Sequence, residues 1–414
     1  MRLIHRALSW LAAIVLVLSF ARPRIADTVP LYAARTGLMC QSCHFDPNGG
    51  GPRNDFGFAF ARNRHSLAAE DTTSAWHDLD LTNRVGDRFP LYFGVNQRFM
   101  YLVNSATQGD SIDRAGFFNM ERALHVTFQP HPRLTLVYST DAFATGPAST
   151  ATSTEAFGLL TIKSSFYVKA GRFRNPFGLR LDDHTVATRN GFLDFTPGNF
   201  GSAGFLPYDP RFPDMGIELG GDHGGWFGRA SFTNGRSDLF TTAPYAETGA
   251  IKLGYNTSGF QGGLSFYDGE QHTRTFDVGG NADGWINTRQ ARWGYYTLTH
   301  YGPTAFLGEI AAGTDRAPDV LGRQSETNKL AGFAEVDYAP NRAVNFRARY
   351  DRLALDRSSD DTVRDLNTHN RYALEGEVVP VPFAEIRWAM RYIDHVATSI
   401  HDEKQAFVML HFAY

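Results

Sequence analysis

The sequence predicts an all-β fold, a 16-stranded antiparallel outer-membrane β-barrel with a small segment ahead of it. Period-2 segments of about ten residues recur from residue 91 onward, and the connections between them alternate between short and long. The 40 glycines and the 14% aromatic content are typical of such a barrel. A bundle of transmembrane helices is excluded, because its apolar runs of about 20 residues would raise the mean hydropathy above −0.30.

Residues 1–21 predict a secretory signal peptide. Arg2 and Arg6 precede an apolar stretch, and Ser19–Ala21 provides a cleavage site. A single membrane anchor is the alternative, but the apolar stretch is shorter than the about 20 residues that a helical span needs. We therefore expect the mature protein beyond the inner membrane.

One short motif carries chemistry. The two cysteines of the chain, Cys40 and Cys43, lie in the sequence CQSCH, which ends at His44. This is the spacing of c-type haem attachment, in which each thiol bonds one haem vinyl group and the adjacent histidine is an axial ligand of the iron. An oxidised loop and a redox dithiol are alternatives. The motif predicts one covalent haem c, held by a helical and loop segment over residues 22–85, with the barrel over residues 86–414.

The iron has a sixth coordination position, whose occupant influences the redox potential. His65 is the nearest candidate, because the stretch FGFAFARNRHSL could form a short helix that returns the chain to the haem. His77 is a weaker candidate. A barrel residue or an open position are the alternatives.

The predicted strands are separated by turn chemistry at Gly, Pro and Asn clusters. An even number of strands is usual for single-chain bacterial barrels. The sixteen strands are expected to begin near Leu91, Phe117, Leu134, Glu155, Ser165, Asp214, Trp226, Thr248, Phe260, Gln290, Thr304, Lys329, Ala343, Asn370, Phe383 and Gln405.

Alternation along the strands predicts which face meets lipid. In residues 383–393, Trp388 and Met390 share one face, while Arg387 and Arg391 share the other. In a membrane barrel the apolar face is outside and the charged face lines the lumen. Residues 406–414 also alternate and resemble a closing barrel strand. Short turns on one side and an even strand count place both termini in the periplasm.

Two local stretches resemble a known family. Residues 34–44, ARTGLMCQSCH, and residues 56–60, FGFAF, are similar to the haem approach of the fused monohaem cytochrome–porins, the outer-membrane iron-oxidising cytochromes. That family usually has a basic residue where Phe58 stands. The motif covers about thirty residues, whereas the order of signal peptide, haem motif and porin-like barrel covers the chain.

The resemblance implies electron transfer across the outer membrane, with ferrous iron as the external donor. It implies a periplasmic carrier, a cytochrome or a cupredoxin, as the partner. Electron export to an external acceptor uses the same parts. A solute porin with a haem-containing plug or sensor and a haem peroxidase are alternatives. The formal charge of −3 gives no reason to expect a nucleic-acid partner.

Two long loops are of interest. Residues 174–213 could fold inward and constrict the lumen, or could form an ordinary outer loop. In the loop over residues 354–369, carboxylates could supply hard oxygen ligands to a metal ion, although a solvated surface loop is the simpler interpretation. These carboxylates are Asp356, Asp360, Asp361 and Asp365.

Overall fold

The computed structural model describes most of the barrel and part of the segment ahead of it. The described residues are 32–33, 38–68, 79, 81–105, 114–141, 154–163, 165–179, 185–189, 204–206, 213–235, 247–276, 282–318 and 323–414. The predicted signal peptide and the candidate ligand His77 lie outside them. Within these ranges, no helix combines the length and the apolar composition needed to cross a membrane.

Sixteen long strands, β1–β16, occupy the described residues from 91 onward. They are β1 Leu91–Asn104, β2 Arg114–His131, β3 Leu134–Asp141, β4 Glu155–Lys163, β5 Phe166–Phe173, β6 Asp214–His223, β7 Trp226–Thr233, β8 Thr248–Thr257, β9 Phe260–Phe276, β10 Ala282–Tyr301, β11 Thr304–Pro318, β12 Gln324–Asn341, β13 Val344–Ala354, β14 Thr368–Val381, β15 Ala384–His395 and β16 Glu403–Ala413.

The sheet closes on itself. Each strand pairs antiparallel with the next along the chain, and β16 pairs with β1 in the register Ala413↔Asn96. The two-residue strand Arg84–Val85 pairs antiparallel with the first two residues of β1. Closure leaves no long edge with unpaired backbone groups, which a membrane requires. The predicted 16-stranded antiparallel barrel is therefore confirmed.

The two ends of the barrel differ. At one end, which we term the turn end, two-residue turns join consecutive strands in the described part of the chain, such as residues 302–303 between β10 and β11. At the other, the loop end, the connections are longer and include residues 174–213. This confirms the predicted alternation of short and long connections. Gly302 adopts a φ of 54° in its turn, a conformation that favours glycine.

Several strands are longer than predicted at the loop end. β10 begins at Ala282 rather than near Gln290, and β12 begins at Gln324 rather than near Lys329. A strand needs about ten residues to cross the bilayer, so the ends of the 20-residue β10 project beyond it. Strand ends outside lipid need no apolar face, which is why alternation did not reveal them.

The two faces of the wall follow the predicted inversion. Leu374 is 60% exposed and Met390 is 64% exposed on the outside, whereas Arg371 is 1% exposed inside. Apolar residues outside suit lipid, and charged residues inside are held by one another. Fully or nearly fully buried charged residues of the inner face include Lys169, Glu218, Arg292, Glu309, Glu335, Asp337, Asp351 and Arg371.

Candidate functional site

The CQSCH motif, Cys40 to His44, forms a tight turn. Cys40–Ser42 is a 3₁₀ turn, and the backbone N–H groups of Cys43 and His44 both donate to the Cys40 carbonyl, at 3.1 and 3.0 Å. No disulfide joins Cys40 to Cys43; Cys43 is buried and Cys40 half-buried. An oxidised loop is therefore not what the structure contains.

The chain after the motif passes directly over the first thiol. A β-bridge joins His44 to Arg53 and closes a loop that holds three consecutive glycines, residues 49–51, at positive φ. A Cβ atom on Gly49 would lie 3.0 Å from Cβ and 3.2 Å from Sγ of Cys40. Since Gly49 also has a φ of 88°, the loop can pass the thiol only because this residue has no side chain.

Helix α1, Asp55–Arg62, rests on the second cysteine. Asn54 caps this helix, because its Oδ1 accepts from the Gly57 N–H at 2.9 Å. The Asn54 Nδ2 donates to the Ser42 carbonyl at 3.1 Å, which ties the helix start to the motif. A Cβ atom on Gly57 would lie 2.1 Å from the Cys43 carbonyl oxygen, so contact between helix and motif depends on glycine.

Residues 38–68, which we term the luminal segment, lie inside the barrel. Asp46 accepts from Lys169 Nζ at 3.2 Å, and Lys169 also lies 3.1 Å from Glu218 on the neighbouring strand β6. Asn48 Nδ2 donates to Glu218 at 2.9 Å. The loop is held by buried charged residues of two wall strands. Separating it from the wall would leave these charges buried without partners, which is energetically costly.

Apolar packing joins three parts of the protein. One buried cluster contains residues of the luminal segment, of the loop between β5 and β6, and of the wall, with Met39 packed against it. The motif therefore lies in a largely apolar environment. The cluster includes Cys43, Phe60, Leu179, Val186, Phe227, Tyr296, Leu298 and Leu307.

Two cationic side chains lie near the thiol of Cys40. Burial raises the pKa of Cys40, and the nearby Lys252 and Arg229 oppose that shift. Arg229 Nη2 is also within 3.4 Å of the Gln41 amide oxygen. Positive side chains beside an apolar pocket are suited to pair with carboxylates such as haem propionates.

His65 lies at the turn end of the lumen. Its Nδ1 is 2.8 Å from the Tyr32 hydroxyl and 3.7 Å from Glu385, and its ring stacks on Tyr32. Burial lowers the pKa of His65 to about 3, so the imidazole is neutral. A cavity of about 140 Å³ beside it is lined by the turn residues Gly302 and Arg342. His65 as second axial ligand stays a prediction.

A wall histidine also lies near the motif. His125 of β2 points into the lumen, and His44 is among the groups that act on it electrostatically. From the sequence, an unspecified barrel residue was one alternative for the sixth ligand of the iron. The available signal was an inward position in the period-2 pattern of β2, which many residues share.

The loop between β5 and β6 folds into the lumen. Arg189 Nη1 donates to Glu309 at 2.9 Å, and the Leu179 N–H donates to the same carboxylate at 2.8 Å. Phe177 and Phe205 are at most 1% exposed. The inward course is confirmed for the described residues 174–179, 185–189 and 204–206, and it brings the loop against the luminal segment.

The carboxylates of the loop between β13 and β14 have local partners. Asp360 caps the short helix α2, Asp361–Leu366, and Asp361 pairs with Arg364 at 2.7 Å. Asp356 accepts from the Ser358 N–H at 2.9 Å. Among the described residues, no group of three or more His, Cys, Asp or Glu is arranged to hold a metal ion. The surface-loop interpretation therefore fits this loop better.

The residues around the motif fit a covalent haem. No disulfide joins the two cysteines, His44 follows directly, and Gly49 passes the Cys40 thiol without a side chain. The donor set of two thiols and one imidazole is the one that haem c uses. The apolar packing at Cys43 suits the apolar porphyrin ring, and the cations near Cys40 suit its propionate groups.

Known structures resemble the barrel. No protein-family model and no curated protein matches the sequence. The anion-selective porin of Comamonas acidovorans superposes with a TM-score of 0.58 at 11% identity, over 79% of this chain and 100% of that one. OmpT of Vibrio cholerae in its trimer form gives 0.55 at 10% identity, over 79% and 100%. The DcaP channel of Acinetobacter baumannii gives 0.55 at 12% identity, over 79% and 97%. The chain therefore has the fold of outer-membrane porins.

Proposed function

We propose that the protein is an outer-membrane cytochrome–porin, which passes electrons between an extracellular redox substrate and a periplasmic carrier. One observation carries the proposal: a CxxCH motif is docked by buried ion pairs inside the lumen of a closed porin-type barrel. The porin fold supports a location in a bacterial outer membrane. The family resemblance of residues 34–44 supports ferrous iron as the donor.

The motif residues hold the cofactor. Cys40 and Cys43 would form thioether bonds to one haem, and His44 would ligate its iron. Bound haem c supplies a one-electron change between ferric and ferrous iron. Lys252, Arg229 and the apolar cluster around Cys43 would hold the ring in the lumen.

The barrel has two roles in this proposal. Its apolar outer face contacts the lipid, and its wall separates the luminal segment from the lipid. One haem is much smaller than the hydrocarbon layer of about 30 Å, so a haem held in the lumen reaches further across it than one held below. The luminal segment also extends to the turn end, where Tyr32 and His65 line a cavity with Gly302. We assign the turn end to the periplasm and to the carrier.

Haem attachment is tested on protein purified from outer membranes and denatured before staining for haem. The wild type should retain haem under denaturing conditions, and Cys40→Ser with Cys43→Ser should lose it. Ser42→Ala keeps the CxxCH spacing and should retain it. A wild type without covalent haem overturns the cytochrome part of the proposal and leaves a plugged porin.

The donor is tested by adding ferrous iron to the oxidised protein. Reduced haem bands should appear in the wild type and should be lost in His44→Ala. A spectrum that stays oxidised with iron but changes with dithionite contradicts ferrous iron as the donor. That result would favour electron export to an external acceptor.

The second candidate is a solute or ion porin whose haem segment plugs or senses. Its supporting observation is the fold, since one similar structure bears the printed name of an anion-selective porin. Charged luminal residues such as Arg349 and Arg391 would then set ion selectivity. A large steady conductance of the haem-loaded protein in planar bilayers, without redox exchange, favours this candidate.

A further inference from the structure

His125 is held in the lumen wall with one ring nitrogen fixed. It lies opposite Gly94 of β1 and Ser139 of β3 in the strand registers. Its Nδ1 is 2.9 Å from the Ser139 hydroxyl oxygen, and its exposed fraction is 9%. A serine that accepts from Nδ1–H leaves the lone pair on Nε2, the tautomer that a metal-binding histidine needs.

The other ring nitrogen is available. Among the described residues, no side chain or backbone group hydrogen-bonds Nε2 of His125. Gly94 lies opposite His125 on the neighbouring strand, where a Cβ atom would come within 3.7 Å of the imidazole. An imidazole whose Nδ1–H is held by an oxygen atom presents its Nε2 lone pair for a metal ion, as ligating histidines do.

The loop that follows the haem motif lies on this part of the wall. A Cβ built on Gly51 would be 3.6 Å from the Ser139 hydroxyl, the same oxygen that holds His125. The Phe45 ring, next to His44 in the chain, packs at 4.7 Å on Tyr92 of the adjacent strand β1. His44 and Arg53 both act electrostatically on His125. The proximal histidine and this wall histidine are therefore neighbours.

His65 has different surroundings. Its Nδ1 is engaged by Tyr32 and faces Glu385, which is the second residue of β15 and thus lies at the turn end. His44 is among the groups that act electrostatically on His125, whereas the charges that act on His65 are those of Glu385, Arg53, His411 and Arg387.

We propose that His125 Nε2 is the second axial ligand of the haem iron, opposite His44. This inference rests on the proposed function. The luminal segment supplies one ligand and the barrel wall supplies the other, so the iron links the two parts. A position filled by histidine also leaves no open site for a peroxidase.

The test compares His125→Ala with His65→Ala in the full-length haem-loaded protein, by absorption and electron paramagnetic resonance spectra. The wild type should be low-spin. His125→Ala should keep covalent haem but become high-spin, and added imidazole should restore the low-spin spectrum. His65→Ala should stay low-spin. A low-spin His125→Ala, or a high-spin His65→Ala, overturns the assignment.

A second variant covers the case in which His125→Ala does not fold. In His125→Met the iron should acquire the spectrum of methionine ligation and a higher reduction potential, because His/Met ligation raises it. A histidine-ligated spectrum in this variant contradicts the assignment. Absence of covalent haem in the wild type is a separate result, which overturns the proposed function instead.

Discussion

At the scale of single residues, Gly57 determines how closely helix α1 approaches the CQSCH motif. A Cβ atom at this position would lie 2.1 Å from the Cys43 carbonyl oxygen, which is backbone and cannot rotate away. The helix is also amphipathic, with Phe58, Phe60 and Ala61 buried. One hydrogen atom therefore sets the distance between the helix and Cys43.

We expect Gly57→Ala to lower haem incorporation and to expose the luminal segment to protease. Helix propensity alone predicts the opposite sign, since alanine favours a helix by about 1 kcal/mol over glycine. The clash should outweigh this gain, because overpacking costs about 1–3 kcal/mol. The matched control is Ala59→Gly on the exposed face of the same helix, which loses propensity without a clash. Equal or better haem incorporation in Gly57→Ala contradicts the contact.

The residues of the motif could be predicted from sequence, but those around it could not. Cys40, Cys43 and His44 are neighbours in the chain, so their spacing alone indicates haem chemistry. His125 and Ser139 meet only because their strands pair in one register. Nothing in the local sequence of β2 distinguishes such a histidine from any other inward residue.

At the scale of elements, the luminal segment is fixed to the wall by Lys169. This side chain is fully buried between Asp46 of the segment and Glu218 of β6. Tyr167 also donates to Glu218, at 2.6 Å. Removal of the lysine would leave two buried carboxylates close together without a cation, which is much more costly than loss of a surface pair.

We expect Lys169→Met to release the segment from the wall. Breaking a buried ion pair by removing one partner costs about 3–5 kcal/mol. The conductance of single proteins in a planar bilayer should rise and protease should cut within residues 38–68. Lys163→Met, at an exposed lysine of β4, should behave as the wild type. An unchanged conductance and the wild-type digestion pattern in Lys169→Met would show that other contacts hold the segment.

Strands were predictable and the docking of the segment was not. Alternation and turn residues are local signals, and most strands begin within two residues of the expected position, such as Trp226 and Thr304. The contact between Asp46 and Lys169 joins residues 123 positions apart. No local sequence pattern at either residue indicates that the two are in contact. The position of the motif inside the lumen is therefore visible only in the structure.

At the scale of the whole molecule, the barrel has two different ends, which we propose lie on opposite sides of the membrane. The two-residue turns lie at one end and the long connections at the other. In outer-membrane barrels short turns face the periplasm and long loops face outward. We propose on this basis that the turn end faces the periplasm, where a carrier would meet the luminal segment.

Single cysteines test this orientation on whole cells with a membrane-impermeant maleimide. Ser359→Cys, in the exposed loop between β13 and β14, should be labelled on intact cells. Arg133→Cys, in the turn between β2 and β3, should be labelled only after the outer membrane is opened. Cys40 and Cys43 should stay unlabelled, because thioether bonds block both. Labelling of Arg133→Cys on intact cells would reverse the assignment.

The central claim, electron transfer across the membrane by a haem inside the barrel, is tested most directly in proteoliposomes. Oxidised cytochrome c is trapped inside, ferrous iron is added outside, and the trapped protein is followed by its absorption. We expect reduction with the wild type and none with the Cys40→Ser, Cys43→Ser variant, which keeps the barrel but not the haem. Trapped cytochrome that stays oxidised with the wild type, or is reduced equally with the variant, contradicts the account.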